Sequence, residues 1–306
     1  MNEKEKAVIE TIKFYGLLER PLAELELYRY LSAQSGKISF FDTIEILEKS
    51  RIVKNMIRQK NGLIFPNNQE DPTASRIKKI KISQQKWKVL KRKIKWLFLL
   101  PFFKAIVLTG SMNFFNCSPK SDFDLLIIAR KDRIWSTRLF ITALCEIFGM
   151  RRKAGKTENR FCLNCFVSEE YLEISEKAKP RNFYSAQEYG RAKLLIERDD
   201  EIFKKFQKQN CWIKNFLNAH PWPGSESQKL KEIKFFAGLV KIFEFLLSNK
   251  FGDWLEKKAG ERQSRRINSN LKIEPADQIC VSPTCLMFHP NSKSFEVMER
   301  MEKSEI

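Results

Sequence analysis

The stretch of sequence that decides the fold is LTGSMNFFNCSPKSDFDLLII, residues 108–128. An apolar run over 104–109 leads into it and predicts a buried β-strand that ends at Gly110-Ser111. Glycine lets the backbone approach a ligand closely, and the free N–H groups of such a turn favour phosphate, to which the Ser111 hydroxyl adds a donor. Residues 122–129, DFDLLIIA, predict a second buried strand that carries acidic side chains at its start.

Asp122 and Asp124 are two residues apart on that second strand. Alternate side chains of a strand share one face, so the two carboxylates are predicted to project together. Carboxylate oxygens are hard ligands that suit Mg²⁺, and two such ions clamp the attacking and leaving oxygens of an in-line displacement at phosphorus. The pattern therefore indicates nucleotidyl transfer. The plainer alternative is a solvated pair of acids near a turn, with Ser111 as a helix cap.

The combination resembles the signature of the nucleotidyltransferase superfamily that includes DNA polymerase beta, kanamycin nucleotidyltransferase and the minimal nucleotidyltransferases. That signature is an apolar strand, Gly followed by Gly or Ser, a spacer, and Asp-x-Asp or Asp-x-Glu followed by apolar residues. The resemblance implies transfer of a nucleoside monophosphate from an NTP, with release of pyrophosphate. Asp122 and Asp124 would hold Mg²⁺, Gly110 and Ser111 would bind the β- and γ-phosphates, and the nucleotide-binding set would extend to Lys120 and Ser121.

Members of this superfamily usually carry a third carboxylate on the next strand. The matching stretch here is 161–167, FCLNCFV, where Asn164 is the candidate for the third catalytic position. An amide can accept a hydrogen bond but cannot take up a proton at neutral pH. Glu169 and Glu170 follow, at a poor distance for that role. An alternative function therefore stays open, a catalytically degenerate nucleotide- or nucleic-acid-binding regulator.

The predicted fold class is α+β, with a polymerase-beta-like nucleotidyltransferase core that contains a mixed sheet. The core is assigned to residues 76–180, a winged-helix-like N-terminal module to 1–70, and a helical C-terminal domain to 181–306. In the first region, three helices (the third capped by Ser39 or Asp42) precede strands at 52–57 and 63–65 around an Asn-Gly turn. In the last region, helices are predicted at 186–196, 201–218 and 229–258.

The charge balance favours polyanionic partners, since 56 Lys and Arg outnumber 37 Asp and Glu, for a net charge of +19. Residues 76–95 hold ten of these cations and no acid, on a predicted amphipathic helix. This basic surface offers contacts to nucleic acid, although a solvated helix face is the commoner outcome. Arg151-Arg152-Lys153 is interpreted as a solvated loop, with a grip on the acceptor as the alternative. The acceptor itself, a small molecule, a protein or an RNA, is not specified by the sequence.

Other classes of protein are excluded. The first residues, MNEKEKAVIETIKF, predict a charged helix rather than a signal peptide, and no apolar run reaches the roughly 20 residues of a membrane span. We therefore expect a cytoplasmic protein with free thiols. Cys162 and Cys165 are predicted to point to opposite faces of a strand, which would prevent a shared metal or a disulfide. Neither a P-loop nor a dinucleotide fingerprint occurs.

Overall fold

A computed structural model describes residues 1–33, 36–199, 201–221, 226–231, 234–270, 278–289 and 293–303. The fold combines helices with a two-stranded hairpin and a six-stranded mixed sheet, which confirms the predicted α+β class and the mixed sheet. The described helices are α1 (Glu3–Leu17), α2 (Glu24–Tyr30), α3 (Phe40–Lys49), α4 (Arg51–Met56), α5 (Thr73–Ile94), α6 (Ile134–Ile147), α7 (Phe183–Gly190), α8 (Ile202–Gln209), α9 (Lys234–Leu246), α10 (Lys250–Asn270) and α11 (Lys293–Lys303). The described strands are β1 (Ile57–Lys60), β2 (Leu63–Pro66), β3 (Phe103–Leu108), β4 (Phe123–Ala129), β5 (Phe161–Ser168), β6 (Lys193–Glu197), β7 (Gln278–Val281) and β8 (Cys285–His289).

The strand order of the large sheet is β6-β3-β4-β5-β8-β7, and every neighbouring pair is antiparallel except β4 and β5. Helix α6 forms the crossover that joins these two parallel strands. The end of β3 lies beside the start of β4, where Leu108 pairs with Leu125 and the Thr109 N–H donates to the Asp124 carbonyl at 2.9 Å. This register places the turn that follows β3 next to the acidic start of β4.

Apolar side chains alternate between the two faces of the sheet, as the strand period requires. Leu126 and Ile128 of β4 belong to a buried cluster that also contains α1 and α7 residues. Leu125 and Ile127 face the opposite way, into a cluster with residues of α5 and α6. The basic helix α5 therefore contributes its apolar side to the core.

The N-terminal region contains the predicted helices and hairpin, with one correction. Ser39 caps α3 by accepting from the Asp42 N–H at 3.0 Å, and the Asn-Gly turn forms with both residues at positive φ. The strand predicted at 52–57 is wrong. Its residues form α4, because the Ser50 hydroxyl accepts from the Val53 N–H at 3.2 Å and caps a second short helix. The strand begins only at Ile57.

The C-terminal region is not purely helical, so the prediction of a helical domain at 181–306 is wrong in this respect. Residues 193–197 form β6 instead of the end of a helix, and β7 and β8 add two further strands to the same sheet. A short apolar run such as Leu194-Leu195-Ile196 fits a buried strand as well as a helix, and its pairing with β3 decides between them. The helix predicted at 229–258 divides into α9 and α10 around Asn249, whose side chain accepts from the Gly252 N–H.

Three buried arginines join the N-terminal region to the core. Arg20 and Arg76 share the carboxylate of Glu26 at 2.6 and 2.7 Å. The Arg20 Nε also donates to the Phe114 carbonyl at 2.6 Å, and the buried Arg191 guanidinium lies against the Phe114 ring. Burial opposes the ionisation of Glu26, but the two guanidinium groups outweigh it and lower the Glu26 pKa. One carboxylate thus balances several buried positive charges.

We expect Glu26→Gln to lower the free energy of unfolding by about 3 kcal/mol, because it leaves buried guanidinium groups without their counter-charge. The lowered pKa means that this stabilisation is present above the ordinary glutamate range and is lost as the pH falls through the folded-state pKa. Urea unfolding at pH 7 measures the loss. Glu24→Gln, at an exposed position of the same helix, is the matched control. Equal effects of the two substitutions would show that the arginine cluster does not depend on Glu26.

None of the helices in the described part of the chain combines the length and the apolarity that crossing a lipid bilayer requires.

Candidate functional site

The turn after β3 lies directly against an acidic side chain. Gly110 has a φ of +68°, in the left-handed region, and a Cβ placed on it would lie 2.1 Å from Asp124 Oδ2. Only glycine leaves room for the carboxylate at this distance. The structure thus brings together the predicted turn and the predicted acid. The adjacent Ser111 is partly exposed, with its Oγ 3.7 Å from Cys117 Sγ.

Asp122, Asp124 and Cys162 form one cluster of groups that could act as metal ligands. Each offers one atom, two carboxylate oxygens and a sulfur, and these atoms all lie within 4.8 Å of one another. Asp122 Oδ2 also accepts from Arg152 Nη1 at 2.8 Å. The two carboxylates therefore share one face as predicted, and they are close enough to hold a cation between them.

The protonation of Asp124 is unusual. Burial, together with the negative charges of Asp122 and Glu188, raises the pKa of this carboxyl to about 7, although a hydrogen bond with Cys162 and the charge of Arg152 oppose the rise. Glu188, on α7, is itself paired with Lys179 at 3.0 Å. The positive charge of Arg152 thus does not offset burial and the neighbouring carboxylates at Asp124, and a bound divalent cation would supply more.

We expect the affinity for Mg²⁺ to depend on pH around this value. A carboxyl with a raised pKa holds a proton below about pH 7, and that proton must leave before the oxygen can bind a metal. The apparent association constant should therefore fall by up to about tenfold per pH unit below pH 7 and level off at about pH 8. Calorimetric titrations with MgCl₂ at pH 6, 7 and 8 measure this. An affinity that stays constant from pH 8 to pH 6 would contradict it.

Cys162, rather than Asn164, is the β5 residue that faces the acids. Asp124 pairs with Cys162 and Leu126 with Cys165, so two steps along β4 match three along β5. This β-bulge reverses the side-chain alternation between the two cysteines. Cys165 packs in the same cluster as Leu126, on the face that carries Asp124, and the prediction that the thiols point to opposite faces is wrong. Nothing in the local sequence pattern signals the bulge.

The Cys162 thiol stays protonated at neutral pH. Burial raises its pKa well above the ordinary value, and the charges of Asp124 and Asp122 raise it further, although Arg152 opposes them. A neutral thiol is a weak donor and a poor metal ligand, since metals bind the thiolate. The thiol is therefore the third member of the cluster, but it supplies no negative charge to a metal ion.

Asn164 and the two glutamates beyond it do not complete the acidic pair. Asn164 is partly exposed and lies at the bulge, where it lines a cavity next to the cluster. Glu169 lies at the far end of β5, 3.4 Å from Lys104, and Glu170 pairs with Lys131 at 2.6 Å. Both glutamates are thus engaged away from Asp124, and neither supplies the third carboxylate.

The remaining predicted nucleotide ligands differ in their surroundings. The Lys120 side chain is exposed, while its backbone carbonyl accepts from Thr157 Oγ1. Ser121 Oγ accepts from the Ser118 N–H at 2.9 Å, and the Ser121 carbonyl accepts from Lys86 Nζ at 2.9 Å. The Ser121 side chain thus closes the loop between the glycine turn and the acids, and α5 holds that loop through Lys86.

A basic pocket of about 410 Å³ lies on the β5 side of the cluster. Four of its lining residues are cationic and none is acidic. They come from α6 and from the segment that returns to β5 through the pairing of Arg151 with Phe161. The residues that define this basic pocket are Arg138, Arg151, Arg152, Lys153, Ala154, Gly155, Thr157, Cys162, Leu163 and Asn164.

Comparison of the chain with known protein families, with curated proteins and with solved structures gives no match. The arrangement itself defines what chemistry is feasible. Two carboxylates offer hard oxygen ligands, a glycine turn lies against one of them, and a set of cations lies on the other side. Such a site suits a divalent cation together with phosphate groups.

Proposed function

We propose that this chain is a Mg²⁺-dependent nucleotidyltransferase, which moves a nucleoside monophosphate from an NTP to an acceptor and releases pyrophosphate. The observation that carries the proposal is the convergence of the two carboxylates and the glycine turn. The oxygens of Asp122 and Asp124 belong to a cluster within 4.8 Å, and Asp124 Oδ2 lies 2.1 Å from the position that a Cβ on Gly110 would take.

The residues of the cluster fit Mg²⁺ rather than a softer ion. Asp122 and Asp124 provide carboxylate oxygens, and Cys162 keeps its proton, so the donor set at neutral pH is oxygen only. When bound, Mg²⁺ would neutralise charge on the transferred phosphate and its leaving group. The chain's own part is to hold the cation with two carboxylates and to offer the N–H groups of the Gly110-Ser111 turn to the β- and γ-phosphates.

We propose in addition that the α+β fold contains a polymerase-beta-like core and a winged-helix-like N-terminal module. A strand that ends in the glycine turn, an antiparallel neighbour that carries the acids, and a parallel third strand support a polymerase-beta-like core. In the described part of residues 3–66, four helices followed by a hairpin support a winged-helix-like N-terminal module. Its Arg20 contacts the loop that follows the glycine turn, so we assign this module a structural role next to the site.

One observation favours a second candidate function. The position on β5 opposite Asp124 holds Cys162, whose raised pKa leaves it unable to act as a base at neutral pH. A regulator that binds a nucleotide and Mg²⁺ without transferring anything would retain the rest of the cluster. The two candidates differ in turnover and not in nucleotide binding.

The test is a transfer assay with Mg²⁺ and NTPs labelled at the α-phosphate, read as label on an acceptor and as released pyrophosphate. We expect Asp122→Asn/Asp124→Asn to reduce transfer by at least about 1,000-fold. Asp132→Asn, an exposed acid at the far end of β4, is the matched control and should leave transfer unchanged. Binding of NTP without transfer would favour the regulator, and the absence of any nucleotide binding would reject both candidates.

A further inference from the structure

We propose that the basic pocket is the acceptor site, and that the acceptor carries a phosphate ester close to the hydroxyl group that is nucleotidylated. This inference rests on the proposed function and names the class of the second substrate. Its basis is the position of the pocket relative to the acids, its excess of positive charge, and the contact of one lining residue with Asp122.

The position of the pocket follows from the strand order. The glycine turn ends β3, the acids lie on β4, and Cys162, Leu163 and Asn164 of the pocket lie on β5. The acids are therefore between the turn and the pocket. An in-line displacement at phosphorus needs the attacking and leaving oxygens on opposite sides of the transferred group. With the triphosphate at the turn, the attacking hydroxyl must come from the side of the pocket.

The positively charged side chains of the pocket outnumber the carboxylates that lie beside them. Arg151 and Lys153 share Glu146, and Arg152 is paired with Asp122. The fourth cation, Arg138, donates to the neutral side chain of Gln263 on α10 and packs over the Phe288 ring. Its buried Nε has no hydrogen-bond partner within the described part of the chain. Four cations thus face two carboxylates, and an anionic group on the ligand would supply the missing charge.

Arg152 links the pocket to the metal site. Its guanidinium contacts Asp122 Oδ2 at 2.8 Å and Cys162 Sγ at 3.6 Å, so it occupies an oxygen that the proposed cation needs. A cation bound at Asp122 would release Arg152 toward the pocket, where it can pair with a phosphate. Occupancy of the two sites is then coupled, and Mg²⁺ should strengthen the binding of a phosphate ester.

The volume of about 410 Å³ limits the part of the acceptor that enters. It suits a group the size of a sugar phosphate or a mononucleotide, as in ordinary small-molecule sites. The same chemistry can come from a free sugar phosphate or from the terminal nucleotide of an RNA. Binding measurements on the full chain, with and without Mg²⁺, should therefore use ribose 5-phosphate and a fluorescein-labelled pentaribonucleotide as separate probes.

We expect at least one probe to bind with a Kd below about 1 mM, and more tightly with Mg²⁺. Arg138→Gln should weaken it by about tenfold or more, and so should the surface variant Lys153→Gln, which does not depend on a buried side chain. Lys156→Gln, on the same segment but outside the pocket, is the matched control. Absence of binding by both probes, or an equal loss in the control, would overturn the inference.

The result also separates this inference from the proposed function. Asp122→Asn/Asp124→Asn removes both the metal site and the carboxylate that holds Arg152, so it should abolish the effect of Mg²⁺ while phosphate binds at least as tightly as it does to the metal-free wild type. Transfer that proceeds unchanged in Arg138→Gln and Lys153→Gln would overturn the acceptor site alone. Phosphate binding by a chain that shows no transfer with any NTP would reject the proposed function and, with it, the acceptor role of the pocket.

Discussion

Asp124→Asn is expected to stabilise the metal-free protein while it removes metal binding. Burial and the charges of Asp122 and Glu188 raise the pKa of Asp124 from 3.8 to about 7, so the folded state favours the protonated carboxyl. The contribution of this group to stability is complete below pH 3.8 and is lost as the pH rises through about 7. At pH 8 the ionised carboxylate therefore weakens the fold. An amide avoids this, and we expect the free energy of unfolding at pH 8 to rise by about 1–3 kcal/mol.

Thermal unfolding in EDTA at pH 8 and pH 4.5 measures this effect. The stabilisation should be large at pH 8 and small at pH 4.5, where the wild-type carboxyl is protonated in the folded state. Excess Mg²⁺ at pH 8 should reverse the order, since only the wild type gains from binding the ion. This explanation would be contradicted if the variant were less stable than the wild type in EDTA at pH 8. It would also be contradicted if Mg²⁺ raised the thermal stability of the variant as much as that of the wild type.

Gly110→Ala is expected to have the second large effect. The new Cβ would lie 2.1 Å from Asp124 Oδ2, and the φ of +68° adds the cost of a left-handed non-glycine residue, about 1 kcal/mol. The carboxylate and the turn cannot both keep their positions. We expect transfer and Mg²⁺ affinity to fall by about 100-fold or more, because a displacement of this size separates the ligand oxygens from the bound phosphates.

Gly62→Ala is the matched control for this substitution. Gly62 has a φ of +73°, but a Cβ on it would meet no atom within 4 Å. In this variant a non-glycine residue must adopt a left-handed backbone conformation, but its Cβ contacts no other atom. It should therefore lower the melting temperature slightly and leave nucleotidyl transfer unchanged. Equal effects of the two substitutions on Mg²⁺ affinity would show that the contact between the turn and Asp124 has no functional role.

The sequence predicted the elements whose pattern is local and strong. The strands predicted at 104–109 and 122–129 consist mostly of apolar residues, and the structure has strands at Phe103–Leu108 and Phe123–Ala129. Helix α5 followed from its apolar spacing. Residues 193–197 could not be assigned in this way, because their strand conformation depends on pairing with β3 far away in sequence. The same holds for β7 and β8, which complete the edge of the sheet.

The sequence predicted only those site residues whose spacing follows a recognisable local pattern. Gly110, Asp122 and Asp124 carry a signal in their spacing, and the structure places them together. The roles of Cys162 and Arg152 depend on the register between β4 and β5 and on a loop that returns along β5, and neither follows from local propensities. Counting the residues of two parallel strands from their first paired positions would have placed Cys162 opposite Asp124. This register, which is set before the bulge, decides that Asn164 does not take that place.

The most direct test of the central claim is a titration of the full chain with Mn²⁺ at pH 8, followed by electron paramagnetic resonance, in the presence of a non-hydrolysable NTP analogue. Mn²⁺ replaces Mg²⁺ at oxygen sites and reports the number of bound ions. We expect about two ions per chain in the wild type, and their loss in Asp122→Asn/Asp124→Asn but not in Asp132→Asn. Binding of the same number of ions by the wild type and by the double variant would contradict it.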